Sequence, residues 1–371
     1  MYPLAEFSLL ESSNNMTKNP EVSTVAMPRS LQQQSEERQL EGLRRDLGPV
    51  VMRELADPTV IEVMLNPDGK IWRDRLGEGM SYTGHDMPVS QAEKLLGTIA
   101  SMLNTVITRE KPILEGELPI DGSRFEGVIA PIVSRPAFAI RKKASLIFTL
   151  DDYEKAGILT DLSDPLNRVK RSHTDFKMMV QGMSHADVIR TAVKMRKNIL
   201  VVGGTGSGKT TLLNAIFHCI EELTPEHRIV LIEDTGEIQC SARNYVQMRS
   251  NKDTSITQLL SATLRLRPDR ICVGEVRGPE ALGLLKMYNT GHPGGAASIH
   301  ANGPTEGLGR MERLIEENPG IKANPHEIAE AIDLCIFIGK EGEIPAGRKI
   351  SQLVVVEGYD EAKKQYITTN V

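Results

Sequence analysis

The chain has 371 residues, of which 40% are hydrophobic and 25% charged, with a formal net charge of -5 at neutral pH. This is the composition of a globular protein with room for two cored domains, and its sign excludes a global attraction to nucleic acid or acidic lipid. No apolar run approaches the roughly 18 residues of a membrane span, and residues 1–29 lack the basic start and apolar middle of a signal peptide, so a cytoplasmic protein is expected. Cys219, Cys240, Cys272 and Cys335 are scattered without a C-x-x-C pair, which argues against a zinc knuckle and a disulfide framework.

In chain order, residues 1–35 are rich in Ser, Asn, Gln and Pro and read as a mobile tail. The spacing of Leu40, Leu43, Leu47, Val51 and Leu55 predicts a helix that ends before Asp57-Pro58. VIEVMLN, a Pro67-Asp68-Gly69 turn and KIWRDR predict a hairpin, and a helix follows over 89–103. Short strands come next, broken at ELPIDGSR and APIVSRP and ending in AFAIRKKAS. Residues 36–150 thus read as a small α+β domain. Residues 151–182 read as a polar linker with room for one short helix. Residues 183–371 read as an α/β domain whose strands (NILVV, RIVLIED, YVQMRS, RICVGE, AASIH) alternate with helices as in a parallel sheet.

The chemistry centres on 198–220. A buried strand, NILVV, leads into GGTGSGKT, which opens a helix with apolar positions at Leu212, Leu213, Ile216, Phe217 and Ile220. This fits G-x-x-x-x-G-K-[ST] in the strand-loop-helix context that the motif requires, which disfavours an ordinary glycine-rich turn. Backbone amides of Gly203, Gly204, Thr205, Gly206, Ser207 and Gly208, with the helix N-terminus, can cradle a polyphosphate. Lys209 can reach the β and γ phosphates, the Thr210 hydroxyl can ligate Mg²⁺, and Thr211 continues the binding turn. ATP and Mg²⁺ are the expected ligands.

Ligands of open α/β sheets bind at the carboxyl ends of strands, which selects three further stretches. RICVGE places Glu275 where a carboxylate can orient an attacking water. Gly274 stands where an aspartate is usual before such a glutamate, so Mg²⁺ must rely on Thr210, the phosphates and water. LIEDTGE supplies Glu233, Asp234 and Glu237; we expect Glu233 near the metal, through water, and Glu237 in the catalytic set. TGHPGGAASIHANG supplies His292 and His300, of which His300, at a strand end, is placed to touch a γ-phosphate. The plainer readings are a strand-end carboxylate, a solvated acidic turn and packed histidines.

In order, GGTGSGKTTLLNA, IEDTGEI, LRLRPDRICVGEVRGPEA and TGHPGGAASIHAN resemble the Walker A, Asp box, Walker B and His box of the secretion ATPase superfamily, which includes type II secretion, type IV pilus and type IV secretion motors. Together with IEVMLNPDGKIW they are most similar to conjugative transfer ATPases of the TrbB type and their type IV secretion relatives. The resemblance covers about 40–360. It implies a C-terminal RecA-like P-loop ATPase domain, a smaller N-terminal PAS-like domain and a homohexameric ring working with inner-membrane channel proteins. It also implies arginines from the N-terminal domain that reach the phosphates; LPIDGSR and FAIRKKAS nominate Arg124 and Arg141, and Arg135 is a further candidate. Arg265, Arg267, Arg270 and Arg277 are expected at subunit contacts rather than on DNA.

The expected function is an ATP-hydrolysing motor at a type IV secretion or conjugation system, on the cytoplasmic face of the inner membrane, with peripheral membrane contact possible and no sequence-specific nucleic acid. A type IV pilus extension or retraction motor is the nearest alternative, and a RecA-like nucleic-acid translocase a more distant one. A GTPase is disfavoured because NKDT at 251–254 is not an N-K-x-D base-reading motif.

Overall fold

The computed structural model describes residues 31–143, 149–155, 157–159 and 173–371. Of a first compact unit, Met1–Arg38, it describes only the opening turns of helix α1 (Leu31–Ala56). Residues 1–30 of the expected tail and 160–172 of the expected linker lie outside the described residues. The second unit, Gln39–Val371, holds two sheets.

Helix α1 buries Leu43, Leu47 and Val51 on one stripe, the spacing that its sequence predicts. It kinks at Gly48 (φ 79°), where Pro49 also removes a backbone donor. Strands β1 (Val60–Leu65), β2 (Lys70–Arg75) and β3 (Gly79–Asp86) are followed by helix α2 (Val89–Met102) and strands β4 (Ile113–Glu117), β5 (Arg124–Val128) and β6 (Ala137–Arg141). They form an antiparallel sheet in the order β3-β2-β1-β6-β5-β4. Strand β3 was not legible because GMSYTGHD lacks apolar alternation; as an edge strand it leaves most of its side chains in contact with solvent. Among its described residues the linker region carries two short helices, α3 (Leu150–Lys155) and α4 (His173–Val180), where one was expected.

The remaining elements are α5 (His185–Lys194), β7 (Ile199–Val202), α6 (Lys209–Leu223), β8 (Ile229–Glu233), β9 (Tyr245–Arg249), α7 (Ile256–Thr263), β10 (Arg270–Val273), α8 (Glu280–Asn289), β11 (Ala296–Ile299), α9 (Pro304–Glu316), α10 (Pro325–Ala331), β12 (Leu334–Lys340), β13 (Arg348–Asp360) and β14 (Gln365–Asn370). Ser184 caps α5 by accepting from the Asp187 amide, and Ser255 and Gln258 form a capping box on α7. The second sheet runs β14-β13-β12-β7-β11-β10-β8-β9, parallel from β12 to β9. Its central strands, ILVV, AASI, RICV and IVLIE, are buried at every position, as a parallel sheet covered on both faces demands.

Register decides what meets at the carboxyl edge of this sheet. Val202 pairs with Ile299 and Val273 with Ile232, so Gly203 starts its loop beside His300, and Gly274 lies beside Glu233. Asn198 fixes β7 at its other end: its Oδ1 accepts from the Gly294 and Gly295 amides at 2.7 and 3.0 Å, and its own amide donates to Asp333 at 2.7 Å.

The two sheets share one core. Met64, Trp72, Val128 and Ala139 of the first pack in the same cluster as Val246, Met248 and Leu259 of the second. Polar contacts join them as well. The buried Arg228 donates to Asn66 and, at 2.7 Å, to Asn244, while Arg267 Nη2 lies 2.8 Å from Asp74.

Candidate active site

The phosphate loop follows directly from β7, and α6 begins at Lys209. Gly208 caps that helix in the left-handed region, φ 102°, which a side chain adopts only with strain. Gly204, Thr205 and Gly206 are exposed on the outer bend, whereas Gly203 and Ser207 are buried at its base. Lys209 is buried beneath the loop, where its ammonium donates to the carbonyls of Gly203 and Gly204 at 3.2 and 3.3 Å. Burial holds that ammonium below its usual range, against the pull of Glu275.

His300 lies on the other side of the same ammonium, with ring nitrogens 3.2 and 3.3 Å from Lys209 Nζ. His300 Nε2 is also 2.7 Å from Glu275 Oε1. The second oxygen of Glu275 accepts from Arg277 Nη2 at 2.6 Å, and Arg277 Nη1 reaches Asp234. The ends of β7, β10, β11 and β8 are thereby drawn together through Lys209, His300, Glu275, Arg277 and Asp234.

Thr210, in the first turn of α6, donates to Glu237 Oε2 at 3.2 Å. This hydroxyl and carboxylate are hard oxygen donors at the edge of the loop, the set that suits Mg²⁺ when phosphate oxygens and water complete its shell. Among the described residues there is no group of three or more His, Cys, Asp or Glu side chains that could hold a metal unaided. Thr211 is exposed on the outer side of α6.

Glu233 is occupied differently. It is 2% exposed; Oε1 accepts from the Glu237 and Ile238 amides at 3.0 and 2.8 Å, and Oε2 accepts from Gln247. Its carboxylate folds the acidic loop, and the carboxylate that faces Thr210 is that of Glu237. The same packing accounts for Gly274, since a Cβ there would stand 3.0 Å from Glu233 Cγ. Glu233 fills the space where the aspartate was expected.

Arg124 and Arg141 are direct cross-strand partners on β5 and β6. Arg141 Nε lies 3.5 Å from Glu62 Oε2, and Glu62 in turn is 3.8 Å from Arg267. Arg267 precedes β10, whereas Glu275 follows it, so Arg141 is tied to the opposite end of that strand from Glu275. The structure does not bring the pair onto the phosphate loop of its own chain, and Arg135 is exposed.

All four arginines expected at subunit contacts have partners within the chain. Arg270 is fully buried and donates to the carbonyls of Gly294 and Val193 at 2.9 Å, which excludes it from a surface contact. Arg267 ties the two sheets together, and Arg277 belongs to the site. His292 precedes β11 and neighbours Arg196, Arg267 and Asp269, at the strand end away from His300. Gln247 escaped the sequence reading; a lone polar residue in YVQMRS carries no motif signal.

A G-x-x-x-x-G-K-[ST] loop between a buried strand and a helix, with a strand-end glutamate beside its lysine, places the chain in the class of P-loop ATPases. The sequence signature of the family described as Type II/IV secretion system protein matches residues 166–339. The chain is 43% identical over 329 residues to the probable conjugal transfer protein TrbB of Sinorhizobium fredii, covering 88% of this chain and 93% of that one. It is 31% identical to the type IV secretion system protein VirB11 of Bartonella quintana, covering 72% and 79% of the two chains. The crystal structure of the VirB11 ATPase from the Brucella suis type IV secretion system superposes with a TM-score of 0.77 at 24% identity, over 87% of this chain and 96% of that one. The chain belongs to the type II/IV secretion system family, in the group of conjugal transfer TrbB proteins.

Proposed function

We propose that the protein is the ATP-driven motor of a conjugal transfer or type IV secretion apparatus, working as a homohexameric ring. The contact of Glu275 with His300, beside the buried Lys209, carries this reading. It sets a water-orienting carboxylate across from the phosphate loop on the edge where such sheets bind ligands. The backbone amides of 203–208 and Lys209 hold the ATP phosphates. Glu275 aligns the attacking water, and His300 donates toward the charge that develops on the γ-phosphoryl group. Thr210 and Glu237 are the residues that would hold Mg²⁺, with Glu233 supporting the loop behind them. Bound Mg²⁺ supplies neutralisation of the phosphate oxygens.

We read the C-terminal part as RecA-like and the N-terminal part as PAS-like, with boundaries at 1–35, 36–150, 151–182 and 183–371. Arg124 and Arg141 lie toward the amino ends of the parallel strands, so in a ring they serve the phosphate loop of a neighbouring subunit. A guanidinium fork from an adjacent copy would then couple subunit rotation to hydrolysis. The ring works at the cytoplasmic face of the inner membrane, docked on channel proteins and without sequence-specific nucleic-acid contact. Among the described residues, no helix is long and apolar enough to cross a membrane.

A mating assay tests the reading. A deletion strain complemented with wild type should transfer its plasmid, and one complemented with Lys209→Ala or Glu275→Gln should not. Normal mating with loss of twitching in the deletion strain would favour a pilus extension or retraction motor, and DNA-stimulated hydrolysis with a steep salt dependence would favour a nucleic-acid translocase.

A further inference from the structure

A cleft of about 460 Å³ opens between the N-terminal sheet and helix α7, lined in part by Ile113, Glu115, Glu126, Gln258, Leu264 and Arg265. Two independent features make it more than a gap between packed elements. Strand β4 stands last in its sheet, so among the described residues no strand lies beside its outer edge. A strand edge of this kind presents backbone donors and acceptors that can template another segment.

The second feature is a buried carboxylate without a hydrogen bond among the described residues. Glu126 is 1% exposed, and neither of its oxygens has a hydrogen-bond partner among the described residues. Directly opposite it across the β4–β5 ladder stands Glu115. Like charges facing each other in this way destabilise a sheet. Among the described residues Arg265 pairs with Glu115 and leaves its Nη1 3.8 Å from Glu126 Oε2. Two carboxylates therefore share one guanidinium, and the buried one lacks a bond. Burial pushes the Glu126 carboxyl up to about 8, so the lone group keeps its proton near neutrality; a cation fixed against it would let that proton go.

Side chains of an added strand alternate between faces. Those pointing the same way as Ile113, Glu115 and Glu126 would enter the cleft, against the exposed Leu264 and the solvent-facing side of α7. We propose that this cleft is a docking site for an extended basic segment of a partner protein, which pairs with the β4 edge and places an arginine or lysine between Glu115 and Glu126. Backbone pairing would supply the affinity, and the carboxylate pair the selectivity for a basic side chain.

Calorimetric titration of the full-length protein with the peptide acetyl-Thr-Val-Thr-Arg-Thr-Val-Thr-amide tests this. The wild type should bind it, with release of a proton near neutral pH and with higher affinity at about pH 8.5 than at about pH 6.5. Replacing the peptide arginine by citrulline, or the protein residue by Glu126→Gln, should each weaken binding at least about tenfold. A peptide N-methylated at alternate residues, which removes one edge of backbone donors, should bind as poorly and needs no change to the protein. Circular dichroism of Glu126→Gln should match wild type, since the substitution keeps the shape of the side chain. Absence of binding to wild type, or equal binding of the arginine, citrulline and N-methylated peptides, overturns the proposal. So does an effect of Glu126→Gln confined to self-association of the protein.

Discussion

His300 Nε2 lies 2.7 Å from Glu275 Oε1, so the residues that end two adjacent strands meet at the carboxyl edge of the sheet. Arg277 donates to the other oxygen at 2.6 Å, which leaves the oxygen that faces His300 without a hydrogen bond among the described residues. His300→Gln should therefore lower kcat for ATP hydrolysis by about 10- to 100-fold, with little change in KM for ATP. Steady-state kinetics check this, and a changed KM at unchanged kcat would speak against a role in the chemical step.

Glu233 and Glu237 should separate cleanly by measurement. Removing the Glu233 carboxylate leaves two backbone amides and Gln247 without their acceptor, so Glu233→Ala should cost about 2–4 kcal/mol of stability in urea unfolding. Glu237→Gln, on the exposed rim beside Thr210, should leave the urea midpoint in place and raise the Mg²⁺ concentration needed for half-maximal hydrolysis. The reverse pattern would return Glu233 to the metal.

Much of this was legible in the sequence because the signals were dense. Fully apolar runs such as ILVV and IVLIE read as buried strands, and a glycine-lysine-threonine loop in that context has few other uses. What escaped were features set by packing between distant segments. Strands β3 and β14 lie at sheet edges, where no buried face imposes an apolar alternation. Arg270 reads as a surface charge until the carbonyls of Gly294 and Val193 are found around it. Arg124 and Arg141 were nominated by resemblance, whereas the tie of Arg141 to Glu62 and Arg267, at the other end of β10 from Glu275, rests on contacts that no local pattern encodes.

Stability should fall as the pH rises through neutrality. Burial raises the Glu126 carboxyl from an ordinary 4.5 to about 8 and that of Glu62 to about 7, the latter despite Arg141 and Arg267 nearby. The folded chain thus holds both protons more tightly than the unfolded chain does. The resulting stability is fully present below about pH 4.5 and lost as the pH climbs through the folded values. For Glu126 the loss should be of the order of 5 kcal/mol, and Glu126→Gln should flatten it. Urea midpoints across this range check the slope, and an identical decline in the variant would exclude Glu126 as its source.

The most direct test of the central claim compares ATP hydrolysis by wild type and Glu275→Gln, with nucleotide affinity measured on the same preparations. The expected result is a loss of about 100-fold or more in kcat while fluorescent ATP-analogue binding stays within a few-fold of wild type. Hydrolysis at the wild-type rate by Glu275→Gln would contradict the assignment of Glu275 as the water-orienting residue, and with it the site on which the motor function rests.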